Sequence, residues 1–174
     1  MTVAPSGSVI VPPSVDYGQH VCNSTAMKIT AFYAGIRLIS ENIASLPRSV
    51  RRKTDKGQEA AEDHPAYRLV AVRPNEYTNT FDFWNCVTTW LEGWGNAYAV
   101  IRRGADGSPV SIHQVHPSNV TATLSGGRRW YRVIIPDPGL AWLNGTYSGD
   151  DMLHFMLLTL DGLTGVNPVI YNAI

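Results

Sequence analysis

Charge of either sign is scarce in this 174-residue chain: charged side chains are 16 % of it, and fourteen basic residues balance fourteen acidic ones. The balance excludes a global field that would draw the molecule to phosphate backbones, anionic membranes or acidic substrates. A charged share below the roughly 25 % usual for soluble domains leaves much of the polar surface uncharged. Cysteine is scarcer still. Cys22 and Cys86 lie far apart, and neither belongs to a CxxC or Cys/His spacing, so no zinc ribbon or thiol redox motif is present. Cys86 falls in an apolar helical pattern and reads as a small buried hydrophobe. No apolar run approaches the ~18 residues of a membrane span, and no charged-then-apolar leader opens the chain. The reading is of a soluble, cytoplasmic chain with no membrane partner. GxSxG, GxxxxGK[ST] and GxGxxG are all absent, which removes the nucleophile elbow and the phosphate cradles; no cofactor is expected.

What is present is a 44 % apolar composition, enough for one sizeable core without staples. Residues 1–23 are rich in Pro, Ser, Gly and Val without a period and read as a flexible arm. After "CNST", where Ser24 or Thr25 can cap, Ile29, Phe32, Ile36, Ile39, Ile43 and Leu46 recur at alternating steps of three and four, one helical stripe that Pro47 ends. This helix reads as a core helix packed on a sheet; its small residues Ala31, Ala34, Gly35 and Ala44 also suit a helix at a subunit interface. "RSVRRKTDKGQEA" predicts a hairpin turning at Asp55-Lys56-Gly57, and a short helix around 66–72 halts before Pro74. In "TNTFDFWNCVTTWLEGWG", Asn79 or Thr80 caps, Phe83, Trp84, Val87, Trp90, Leu91 and Trp94 fill one face, and Gly95 closes the helix in the left-handed conformation.

From "NAYAVIRR" onward the period drops to two, through successive strands punctuated by Gly, Asp and Pro, as far as "DMLHFML". Helices first and strands later predict an α+β domain, two or three helices packed on a mainly antiparallel sheet. In "DGLTGVNPVI", Asn167 and Pro168 stand where a helix N-cap and first helical residue would, and Asp161 suits a turn held by its side chain.

Candidate chemistry is thin. His113, His116 and His154 are the residues a metal-dependent hydrolase would use, but His113 and His116 have odd spacing on a strand and point to opposite faces. A stand-alone nucleic-acid-binding domain would use the basic 48–56 cluster, Arg48, Arg51, Arg52, Lys53 and Lys56, with Arg128, Arg129 and Arg132. Residues 133–174 carry four aspartates and no Lys or Arg. No set of residues converges on a reaction, which favours a structural role.

Five blocks, "AMKITAFYAGIRLISENIASLP", "EDHPAYRLV...RPNEYTNTFDFW", "WGNAYAVI", "HPSNVT" and "DMLHFMLLTLDGLTGVNPV", resemble in order and spacing the N-terminal part of bacteriophage portal proteins of the Hong Kong 97 type. The resemblance implies a non-enzymatic subunit of a homo-oligomeric ring, typically a dodecamer, at one capsid vertex. Such a ring lets double-stranded DNA through without sequence-specific binding and meets terminase, capsid and head-tail adaptor proteins. It implies a virion location, with host cytoplasm during assembly. It further implies that 24–166 form a wing-like α+β domain, that 167–174 begin a helix leading to a stem, and that the chain is a fragment of a longer protein. The matched residues are structural, at hinges and turns: Pro47, Pro74, Gly95, Asn96, Asp161, Gly162, Gly165 and Pro168. Ile29, Phe32, Ile36, Ile39 and Ile43 are the candidate packing or subunit-interface helix. One departure is "LPRSVRRK", where Arg48 and Arg51 replace an apolar and an aromatic residue.

Overall fold

The computed structural model describes residues 22–55 and 57–171; apart from Cys22 and Asn23, the arm assigned to residues 1–23 lies outside them, as does Lys56. Three antiparallel sheets and a layer of helices make up an α+β fold. Its middle is the sheet β4-β3-β8, with β3 (Asn96–Arg103) between β4 (Pro109–Val115) and β8 (Met152–Met156). Because side chains alternate along β3, Ala97 and Ala99 face one way and Tyr98 and Val100 the other, all nearly inaccessible. The alanine side meets Leu69, Phe83, Val87 and Ile112 under α4 (Thr80–Trp94). The tyrosine side packs with Val115 and Met152 against Tyr131 and Val133 of a second sheet, β5-β6-β7, with Ile135 and Leu143 closing the cluster. That second sheet comprises β5 (Val120–Ser125), β6 (Arg128–Val133) and β7 (Gly145–Ser148).

α4 begins and ends as its sequence requires. The Asn79 side chain accepts the Asp82 amide at 2.8 Å, satisfying one of the orphan donors of the first turn. Gly95 then closes the helix at φ +73°. Leu46 turns extended ahead of Pro47 and ends α2 (Thr30–Ser45).

Two expectations for α2 need correction. It does not continue from a Ser24 or Thr25 cap: those residues lie within a separate turn, α1 (Asn23–Ala26), and α2 starts after a break, with Ile29 ahead of it and no side-chain cap. Nor does its apolar stripe pack on a sheet. α2 lies on α4 and buries Ile36, Ser40 and Ala44, while Ile29, Ile39 and Ile43 are 60, 44 and 42 % exposed and Phe32 is half-buried. The reason is close approach: Ile36, Ser40 and Ala44 at i, i+4 and i+8 share one face, and the small Ser40 and Ala44 let the helix backbones near each other. Gly93 of α4 leaves room for Ile36 Cδ1, which lies 3.9 Å from where a Cβ would stand. Ile29, Ile39 and Ile43 sit on the adjoining, exposed side.

The predicted hairpin is present as β1 (Arg51–Thr54) against β2 (Gly57–Ala60), its residues almost all exposed. Ahead of α4, α3 (Pro65–Tyr67) runs into a wider turn over Arg68–Val72, where the Arg73 amide reaches back five residues to Arg68 O at 2.8 Å. Pro74, fully buried, lays its carbonyl on the Ile112 amide at 2.8 Å, and Asn75 Nδ2 donates to Ile112 O at 2.8 Å. The segment after α3 is thereby fastened to β4.

Candidate functional site

Most of the singled-out turn residues converge where the chain returns from β8. Gly95 and Asn96 at the α4–β3 corner meet Gly165, Val166 and Asn167 ahead of α5 (Pro168–Tyr171). Asn96 uses its whole amide: Nδ2 donates to Gly165 O at 2.7 Å, and Oδ1 accepts the Gly165 amide at 2.7 Å. The contact is so close that a Cβ on Gly165 would stand 2.0 Å from Gly95 O, and one on Gly95 2.0 Å from Val166 O. Residues 157–167 therefore form a strap held against the corner.

The strap is shaped by its own residues. Asp161 Oδ1 accepts the amides of Leu163 and Thr164 at 2.8 and 2.9 Å, and these amides hold its carboxyl down at about 2. Gly162 takes φ +70°, a conformation that favours glycine, and its carbonyl accepts Arg129 Nη2 at 2.7 Å. Asn167 accepts the Val169 and Ile170 amides at 3.1 and 3.3 Å, the N-cap expected ahead of Pro168. Asn23, which the sequence placed at the end of the arm, is buried: its Oδ1 accepts Asn167 Nδ2 at 2.8 Å, and its Nδ2 donates to Gly93 O.

The three histidines do not share a site. Among the described residues no group of His, Cys, Asp or Glu could hold a metal ion. His113 is buried between Tyr77 Oη, 3.0 Å from Nδ1, and Ser111 Oγ, 2.8 Å from Nε2. His116 accepts the Ser118 amide at 3.2 Å and meets the edges of Trp90 and Trp94. His154 stacks on Tyr98 with centroids 4.3 Å apart, and its Nε2 lies 3.0 Å from Asn96 Oδ1. Since Asn96 Nδ2 is committed to Gly165 O, its Oδ1 is the acceptor. His154 Nε2 therefore carries the proton and Nδ1 faces Tyr131 Oη at 3.3 Å. This histidine supports the strap, a role that its sequence position did not suggest. Cys86 is half-buried and its thiol is pushed up to about 12 by burial, so it is no nucleophile.

Burial, with Arg129 nearby, lowers His154 to about 4. A lowered folded-state value means that the unfolded chain binds the proton more readily. Stability is then intact above the ordinary histidine value of about 6.5 and falls as pH drops from there through about 4. We expect the His154 Cε1 proton resonance to titrate near 4 and the thermal midpoint to fall over that window. Titration near 6.5 would show that the ring is solvated.

The basic 48–56 cluster is divided rather than pooled. Arg48 donates to the carbonyls of Ile43, Ala44 and Leu46 and lies over the Trp84 ring at 4.7 Å. A guanidinium thus covers the aromatic ring. Arg52 pairs with Asp63 at 2.8 Å. Arg51 and Lys53 remain on the exposed hairpin, paired with Ala60 and Gln58, while Glu59 stands opposite Arg52.

With this geometry in hand, comparison with known proteins is decisive: the phage portal protein family matches residues 30–173. The chain belongs to that family. Two curated relatives are Protein BeeE of Escherichia coli strain K12, 27 % identical over 113 residues (65 % of this chain, 71 % of BeeE), and the Portal protein of Enterobacteria phage HK97. The latter is 26 % identical over 147 residues, 83 % of this chain but 34 % of its own length. Among solved structures, this fold recurs in a chain of the neck of an empty gene transfer agent particle computed with C6 symmetry. There the TM-score is 0.64 at 16 % identity, covering 87 % of this chain and 41 % of that one. It also recurs in an HK97-family portal protein from Corynebacterium diphtheriae, with TM-score 0.54 at 16 % identity, covering 80 and 41 %. This portal-family chain thus spans about two fifths of the solved chains and one third of the HK97 portal.

Proposed function

We propose that this chain is the peripheral, wing-like part of a phage portal ring. The ring would form the DNA packaging and ejection channel at a capsid vertex and the head-tail connector, with no catalysis of its own. The observation that carries this reading is the family match over nearly all described residues, joined to the outward apolar face of α2. A ring of identical subunits needs heterologous contacts, two different patches on each copy that close by rotation. Ile29, Ile39 and Ile43, exposed on a chain with few charges, supply one such patch. On this reading α5 begins the helix leading to the stem, and the strap sets the direction in which it leaves. Terminase, capsid and adaptor proteins would dock on the assembled ring, the whole residing in the virion after assembly in the host cytoplasm.

Negative-stain images of protein produced from its native reading frame should show rings with a central hole, a dodecamer being expected. Ile39→Asp with Ile43→Asp should leave the fold intact and abolish the rings. Monomers alone at the highest concentrations reached with the unaltered chain would overturn the proposal. The hydrolase reading lacks a site to stand on, because its three histidines have separate partners.

A further inference from the structure

The outer face of the β5-β6-β7 sheet is the part of the molecule whose chemistry the strap and the helices leave unused. Alternation along β6 turns Tyr131 and Val133 into the core and Arg128, Trp130 and Arg132 outward. The register then places hydroxyls beside them: Thr121 and Thr146 flank Arg132, and Thr123 and Ser148 flank Trp130. No carboxylate lies on these paired positions. Among the described residues neither Arg128 nor Arg132 forms an ion pair, and both are exposed, as is Trp130 at 38 %. Asp150 stands only at one rim, in a cleft of about 490 Å³ that it shares with Arg128, Arg129 and Trp130. The basic run read from sequence is thus sorted by the pleat. Arg129 turns the other way and is spent on Gly162, while two free guanidinium groups remain on one flat face.

We propose that this face is a contact surface for the phosphate backbone of double-stranded nucleic acid. The inference rests on the register of this sheet and not on the ring reading. Arg128 and Arg132 lie four residues apart on one strand, a spacing of about 13 Å, with Arg132 paired to both β5 and β7 and Arg128 to β5. Two cations spaced along one strand, with hydroxyl donors between them, are the groups that hold phosphates without reading bases. A single tryptophan, with no second aromatic beside it on these strands' outward positions, offers no platform for successive unstacked bases, which favours duplex over single strand. The net charge of zero keeps each contact weak. Repetition around an assembly would multiply it.

The test is a 1H–15N NMR titration of the chain with a mixed-sequence duplex of about 20 base pairs at 50 mM salt. The Trp130 indole N–H and the outward residues of β5, β6 and β7 should shift, equally for AT-rich and GC-rich duplexes. With two phosphates neutralised, raising salt to 200 mM should weaken binding roughly tenfold. Arg128→Ala with Arg132→Ala, both exposed, should remove the shifts while amide dispersion is kept. Absence of any Trp130 perturbation at millimolar duplex would overturn the proposal, as would shifts confined to the β1–β2 hairpin or full binding by the double variant. A stronger response to polyglutamate than to duplex would overturn it in favour of an acidic protein partner.

Discussion

Replacing Gly165 by alanine lowers the thermal midpoint by about 10 °C, the largest effect expected of any single methyl group in this chain. The added Cβ would stand 2.0 Å from Gly95 O, 3.0 Å from Gly95 C and 3.2 Å from Asn96 Oδ1. None of these can retreat cheaply. The carbonyl belongs to the residue that closes α4, and Asn96 is held by four partners. Gly165 does not take a positive φ, so the cost is steric rather than torsional. Relief requires the strap to lift, which breaks both Asn96–Gly165 hydrogen bonds. A loss of about 3–4 kcal/mol follows, and at about 3 °C per kcal/mol for a domain of this size the shift is readable by calorimetry. Gly107→Ala is the matched control. Its φ of +79° makes alanine strained, but nothing lies within 4 Å, so a cost of about 1 kcal/mol is expected. Equal midpoints for the two variants would show that the strap is not held against the corner.

The second large effect is at Asn96. Asn96→Ala deletes the partner of the Gly165 amide and carbonyl, of the Trp94 carbonyl and of His154 Nε2. Half-buried groups left without partners cost about 1–3 kcal/mol each, with partial relief from water, so a total near 3 kcal/mol is expected by denaturant titration. Asn96→Asp separates packing from chemistry. It keeps the shape but sets a carboxylate beside His154 Nε2, and a nearby negative charge favours the imidazolium. His154 should then titrate well above its value of about 4, as read by NMR. An unmoved resonance would show that Asn96 and His154 are not coupled.

Much of this was legible in the chain before folding, and the limits have physical causes. α4 was readable at both ends because its cap and closing glycine are local devices: Asn79 and Gly95 act within a turn of themselves. The same holds for Asn167 ahead of Pro168 and for Asp161 in its loop. The face of α2 was not readable, because periodicity finds a stripe without saying what covers it. Ser40 and Ala44, the less apolar choice, are buried since close approach to α4 favours small side chains. The basic 48–56 cluster looked like one patch only in sequence. Trp84 and Asp63, which divide Arg48 from Arg52, are tertiary partners that no local pattern reveals. His154 failed as a metal ligand for a similar reason: its partners Asn96, Tyr98 and Tyr131 come from two other strands.

The place of β8 has a consequence for biosynthesis. The middle sheet is completed by a strand that leaves the ribosome only after all of β5, β6 and β7, about 40 residues and roughly 2–8 s later at ordinary translation rates. During that interval the nascent β3–β4 hairpin has one margin open, and Ala97 and Ala99 can already shelter under α4 while their neighbours wait. Slow codons within β5–β7 would prolong this exposed stage, and a chaperone that shields unpaired strands would act on the chain at that moment.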